Sequence, residues 1–163
     1  MKIKKVIFSY DFIGSIIFAF LIYVFFPNQI DNLFIKDVYT IGISILSIVF
    51  SVFFAALAII ISSSDDEFVK FLINKNYYNS ILLSFKITLF SLFFALSYSI
   101  ILYIITSNLI LLKFERQSLI FFIFFVLFFS YSLIATALSA NDAIKYSKFR
   151  SEYLSTVSKV KSN

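Results

Sequence analysis

The stretch that decides the fold is VYTIGISILSIVFSVFFAALAIII, at residues 38–61, which contains no Asp, Glu, Lys or Arg. An α-helix rises about 1.5 Å per residue and the hydrocarbon core of a bilayer is about 30 Å thick, so about 20 apolar residues are enough to cross it. Three further apolar runs lie at residues 12–26, 80–106 and 118–140, and only the first is short. The chain is therefore predicted to cross a membrane four times.

Composition leads to the same fold class. Hydrophobic residues make up 61% of the chain and charged residues 14%, which leaves too little polar surface for a water-soluble domain of this size. We predict an all-α, integral membrane four-helix bundle over residues 1–141. A basic amphipathic helix is predicted in the tail at residues 142–163.

The residue types that are missing narrow the functions. Cys and His are absent, which excludes disulfides, thiolate nucleophiles, imidazole metal sites and histidine acid–base catalysis. The middle of each apolar run holds no charged residue, and the only proline is Pro27, at the end of the first run. Pumps and ion-coupled carriers place titratable groups or broken helices there, so this pattern argues against both. We expect no enzyme activity, no cofactor and no metal.

The basic residues predict the orientation. In a chain that crosses the membrane four times, both termini lie on the same side. Eleven of the 14 Lys and Arg residues lie on that side of the membrane, and three lie on the opposite side. Because Lys and Arg are retained on the cytoplasmic side, both termini are predicted to be cytoplasmic. A surplus of Phe, Ile, Lys, Asn and Tyr is typical of an AT-rich bacterial genome. The expected location is the bacterial inner membrane, where the chain contacts membrane lipid.

Small and hydroxyl-bearing residues recur along the second predicted helix and fall in one stripe about 80° wide. Two interpretations remain open: a packing seam between helices, which we rank first, and the lining of a pore around an oligomer axis. One stripe can also do both at different depths. The predicted pore-lining residues are Thr40, Ser44, Ser47, Ser51, Ala55, Ala58 and Ser62.

Similar stripes occur on the third predicted helix (Ser84, Thr88, Ser91, Ala95, Ser99 and Thr106) and on the fourth (Ser132, Thr136 and Ser139). Two ionisable residues, Asp11 and Lys86, lie at similar depth near the cytoplasmic edge. We favour the interpretation that both reach the lipid headgroups. The alternative is an Asp11–Lys86 ion pair that locks the first helix against the third and contributes to gating.

Two amphipathic segments are predicted outside the membrane. Ser64 and Glu67 have the spacing of a capping box at the start of a short helix, whose apolar face (Phe68 to Ile73) is expected at the membrane interface. The tail carries an apolar stripe (Tyr146, Phe149, Tyr153, Val157 and Val160) that needs the membrane or a sister subunit as partner. Its basic residues predict ligand or anionic-lipid docking: Lys145, Lys148, Arg150, Lys159 and Lys161.

The run AALAIIISSSDDEFVKFL, at residues 55–72, resembles segments of small four-span membrane proteins from bacterial antiphage defence systems. The layout is similar to the channel subunit of the Hailong system and to the Kiwa membrane subunit. This resemblance implies a homo-oligomeric channel effector, with a tetramer favoured. It also implies a cytoplasmic nucleotidyltransferase partner whose DNA-oligomer product keeps the channel closed.

The leading prediction is a homo-oligomeric, pore-forming effector of antiphage defence, gated from the cytoplasm, that depolarises the membrane when it opens. A non-conducting membrane interaction protein, such as a bacteriocin immunity protein or a membrane-complex subunit, is the alternative from another class. A holin-like lysis protein is the third.

Overall fold

The structure, a computed structural model, describes residues 10–62, 65–75 and 77–161. This part of the chain forms five helices and one two-stranded ribbon, so the all-α prediction is confirmed. The helices are α1 (Tyr10–Phe25), α2 (Asn32–Ser62), α3 (Asp66–Asn74), α4 (Tyr78–Leu111) and α5 (Leu119–Lys161). The strands are β1 (Gln29–Asp31) and β2 (Arg116–Ser118).

Three of the helices, α2, α4 and α5, are long and apolar enough to cross a membrane. Helix α2 has 31 residues and α4 has 34, so both exceed the roughly 20 residues that a crossing needs. Helix α1 is apolar but has only 16 residues, a length of about 24 Å. The tail is not a separate element, because α5 continues from the fourth predicted span through Lys161.

The four longest helices pack in a row rather than as a closed bundle. Helix α1 packs chiefly against α5, α5 against α4, and α4 against α2, with a smaller contact between α2 and α5. The physical reason is that the small residues of α4 face α5, which brings those two helices to the centre of the row. Helices α1 and α2 consequently lie at its two ends.

A short ribbon, absent from the sequence predictions, ties the helices together at one end. Strands β1 and β2 are antiparallel, with Ile30 opposite Gln117. Asp31 Oδ1 accepts hydrogen bonds from the first backbone N–H groups of α2, at 2.6 Å from Leu33 N, and so caps that helix. Gln117 Nε2 donates to Thr106 Oγ1 of α4 at 3.1 Å. Strands of three residues are too short for an alternation of apolar and polar residues to appear in the sequence.

Helix α3 begins near the predicted position, but Asp65 is its N-cap: Asp65 Oδ1 accepts from Phe68 N at 2.6 Å. Ser64, the predicted cap, lies outside the described residues. The apolar faces of α3 and the tail, expected to meet the membrane or sister subunits, are in part buried against each other, whereas Ile73 of α3 is exposed. Their contacts form an α3–α5 aromatic cluster: Phe68, Phe71, Tyr146 and Tyr153.

Gly42 lets α2 lie close to the Phe125 ring of α5. A Cβ atom added there would lie 2.6 Å from Cζ of Phe125. The Phe125 ring is buried and meets Tyr39 edge to face at 4.8 Å between centroids, so it has little freedom to move.

We therefore expect Gly42→Ala to lower the free energy of unfolding by about 1–3 kcal/mol, as overpacking does, more than the ~1 kcal/mol gained in helix propensity. Gly14→Ala is the matched control, because the added Cβ would meet only the flexible Cδ1 atom of Ile134, at 3.0 Å. Unfolding in detergent micelles measures both variants. Equal stability of the two would contradict a close approach at Gly42.

Candidate functional site

The small-residue stripe of α2 lies on the outside of the protomer. Of its seven members, Ser47 is half-buried and the other six are exposed. The buried side chains of α2 follow a different face, through Tyr39, Gly42, Leu46 and Phe53. At about 100° per residue the two faces point about 145° apart. Within the protomer the stripe is therefore not a packing seam, and its role as a pore lining stays a prediction.

The hydroxyl groups of this stripe are bonded to their own helix. Thr40 Oγ1 donates to the Lys36 carbonyl, Ser44 Oγ to Thr40 and Ser51 Oγ to Ser47, each at 2.9 Å. Each such hydroxyl uses its only proton within the helix and keeps oxygen lone pairs for another partner. These three hydroxyl groups can therefore face lipid without an unpaired donor, while their oxygen atoms remain available to water, an ion or another helix.

The stripes of α4 and α5 behave differently, because they meet each other. Thr88 Oγ1 lies 2.6 Å from Ser139 Oγ, and Ser91 Oγ lies 2.7 Å from Ser132 Oγ. Ser132 also donates to the Ser91 carbonyl at 3.1 Å. Short side chains allow the two backbones to approach, and hydrogen bonds across the contact add to the packing. These two stripes form a seam inside the protomer and are not free to line a conduit between subunits.

Asp11 and Lys86, for which an ion pair was the alternative interpretation, do not form a salt bridge: the ion pairs between described residues are Lys75–Glu152 and Lys145–Asp142. Asp11 lies on α1 against α5 and is buried, whereas the Lys86 side chain of α4 is exposed. The reason is the helical period, since Lys86 points away from the α4 face that carries Ser84 and Thr88. Asp11 therefore lies between helices of the protomer, whereas Lys86 has the exposed position that the headgroup interpretation requires.

Instead, Asp11 lines a polar cavity of about 370 Å³ between α1, α4 and α5. Hydroxyl groups of Ser84, Thr88 and Ser139 line it together with Asp142 and Lys145. Lys145 Nζ lies 2.9 Å from Asp142 Oδ1. Ser80, Asn141 and Asp142, which also line this cavity, were not among the predicted site residues. The sequence did contain a signal for this cavity: α4 and α5 each carry hydroxyl groups on one face, at the same depth as Asp11.

The three basic residues of the tail whose side chains are described have different surroundings. Lys145 lines the polar cavity, Lys148 is exposed and Arg150 is half-buried. The side chains of Lys159 and Lys161 lie outside the described residues. Tyr153 Oη donates to Glu67 Oε2 at 2.9 Å, and this bond to a carboxylate raises the pKa of Tyr153 above its ordinary value of 10.0. Docking on the tail thus stays a prediction.

No protein-family model, curated protein or solved structure matches the chain.

Proposed function

We propose that the chain crosses the bacterial cytoplasmic membrane four times and assembles as a homo-oligomeric ion channel lined by α2. The observation that carries this proposal is the position of the hydroxyl stripe, which the protomer leaves on its outer surface while the stripes of α4 and α5 are used inside. A polar stripe that no helix of the same chain covers is suited to a subunit interface around a water-filled axis.

The arrangement of the helix ends supports α1 as the fourth span. Helix α1 leads into the ribbon, and its opposite end places Asp11 in the same cavity as Asp142 of α5. Helix α1 therefore runs alongside α5, from the level of the first residue of α5 to the level of Asp142. With the distribution of Lys and Arg, the ribbon would lie outside the cell, and α3 and the tail would lie in the cytoplasm.

A link between α3, the tail and α2 supports gating from the cytoplasm. The α3–α5 aromatic cluster reaches the end of α2 through Tyr146, whose Oη donates to the Ile60 carbonyl at 3.0 Å. Lys75 at the end of α3 contacts Glu152 of the tail at 2.6 Å. A ligand that moves α3 or the tail would therefore move the end of the helix that lines the conduit.

The role in antiphage defence rests on the resemblance of residues 55–72. In this proposal a cytoplasmic nucleotidyltransferase makes a DNA oligomer that holds the channel closed, and infection removes the oligomer. Opening then depolarises the membrane and arrests the infected cell.

Ion flux from liposomes tests the channel directly. Liposomes that contain protein purified without its cytoplasmic partner are expected to release trapped potassium and to retain a large dextran, because the proposed conduit is narrow and lined by hydroxyl groups. Release of the dextran as well would favour the holin-like alternative. Vesicles that retain potassium at all protein densities and with either protein orientation would contradict the channel.

A non-conducting interaction protein is the second candidate. The observation that favours it is that Thr40, Ser44 and Ser51 donate their protons within α2, which also suits close packing against a helix of another protein. A bacteriocin immunity protein or a membrane-complex subunit would use the stripe in this way. Liposomes that stay tight, with a stable complex of a second membrane protein, are the expected result for this candidate.

A further inference from the structure

An apolar groove lies next to the polar cavity, between the same three helices. The groove has a volume of about 630 Å³ and is lined by Phe and Leu side chains with Ser91 and Tyr131. Along α4 the lining passes from Thr88 in the cavity to Ser91 in the groove, and along α5 from Ala135 to Tyr131. Each step is about one helical turn, so the cavity and the groove are neighbours along the surface of α5.

The polar end of this space holds a buried acid, one of whose carboxylate oxygen atoms is unbonded within the described part of the chain. Asp11 is 8% exposed, and its Oδ1 atom receives no hydrogen bond from any described residue. A buried carboxylate is costly unless a donor or counter-ion compensates it. Lys145, on the same cavity, is 60% exposed and pairs with Asp142. An ammonium group has three N–H donors, so Lys145 retains donors for a second anion.

The depth of the two spaces matches one leaflet of a bilayer. Lys86 is exposed on α4 between Ser84 and Thr88, and an exposed lysine on a membrane-facing surface reaches the headgroups. The cavity therefore lies at headgroup level. From Ser84 to Phe94 of the groove the helix rises about 15 Å, half of the ~30 Å hydrocarbon core.

We propose that this space binds one phospholipid with a primary-ammonium head group, of the phosphatidylethanolamine class, per subunit. The ammonium group donates to the Asp11 carboxylate and the phosphate accepts from Lys145. One acyl chain lies along the groove beside Phe90, Phe94 and Phe128. The charges select this class, because an anionic lipid without an amine leaves Asp11 unpaired and a quaternary ammonium has no N–H to donate.

Native mass spectrometry of the delipidated full-length protein tests the proposal with the wild-type sequence alone. Phosphatidylethanolamine, phosphatidylcholine and phosphatidylglycerol with identical acyl chains are titrated separately. We expect one phosphatidylethanolamine per subunit to be retained at about one-tenth of the concentration that the other two lipids require. Equal retention of the three lipids would overturn the proposal. So would assembly of the subunits with no preference among the lipids, or retention of a sodium ion in place of a lipid.

Asp11→Asn keeps the shape of the side chain and removes its charge. It is expected to weaken phosphatidylethanolamine retention about tenfold, to the level of phosphatidylcholine. Asp37→Asn, at an exposed acid of α2, is the matched control and should bind as the wild type does. Unchanged lipid preference in Asp11→Asn would refute the role of the carboxylate. Lipid binding at this site does not depend on ion conduction, so liposomes that retain potassium would not contradict it.

Discussion

Ser51→Leu is expected to reduce potassium release from liposomes at least tenfold. Ser51 is exposed at the middle of the α2 stripe, and its hydroxyl is already bonded to the Ser47 carbonyl. The substitution therefore removes no contact within the protomer. In a narrow conduit, leucine at this level would add a ring of apolar groups that expels water and stops ions. The rate of potassium release, at equal protein density, measures the effect.

Val52→Leu is the matched control for this substitution. Val52 is the next residue of α2, is also exposed and becomes the same side chain, but it points about 100° away from the stripe. It should release potassium at the wild-type rate. If Ser51→Leu and Val52→Leu conduct alike, α2 does not line the conduit. A loss of both flux and oligomer in Ser51→Leu would instead indicate a packing stripe between subunits.

Phe68→Ala is expected to cause the largest loss of stability, about 3–5 kcal/mol, the cost of truncating a fully buried phenylalanine. Phe68 is 1% exposed. Its ring meets Tyr146 edge to face at 5.4 Å and Tyr153 at 5.5 Å between centroids. These contacts join α3 to the tail, so the loss should be confined to that end of the molecule. Amide hydrogen exchange of the α3 and tail backbones is expected to quicken by two orders of magnitude or more.

Phe25→Ala provides the comparison, because Phe25 is 77% exposed on α1. Truncation there removes little buried surface, and exchange of the tail should be unchanged. Fast exchange in the wild-type tail, or no difference between the two variants, would show that α3 does not hold the tail. Because Tyr146 reaches α2, Phe68→Ala should also alter channel opening, which the same liposome measurement records.

The sequence predicted α3 and the amphipathic tail but not their partner. The apolar positions of both follow from local helical periodicity, which is visible in the order of residues. Periodicity does not distinguish a membrane surface, a sister subunit and another helix of the same chain, because all three are apolar. Phe68 and Tyr146 meet because α3 lies against both α4 and α5 in the folded chain.

Asp11 illustrates the same limit for charged groups. Its position on the edge of a span was evident from the sequence, and so was the possibility of a partner at the depth of Lys86. The rotation of α1 against α5 decides that the carboxylate enters a cavity with Ser84, Thr88 and Ser139 instead. That rotation depends on packing over the whole length of the helix.

The sequence by itself determined the helical class, the positions of the three long apolar helices and the hydroxyl stripes on α2, α4 and α5. Each follows from local physics: a rise of about 1.5 Å per residue, a core about 30 Å thick and about 3.6 residues per turn. Tertiary structure alone decided which stripes are used within the protomer. Since lipid and protein interior are equally apolar, hydropathy cannot tell the α4–α5 seam from the uncovered face of α2; only the packing of the helices separates them.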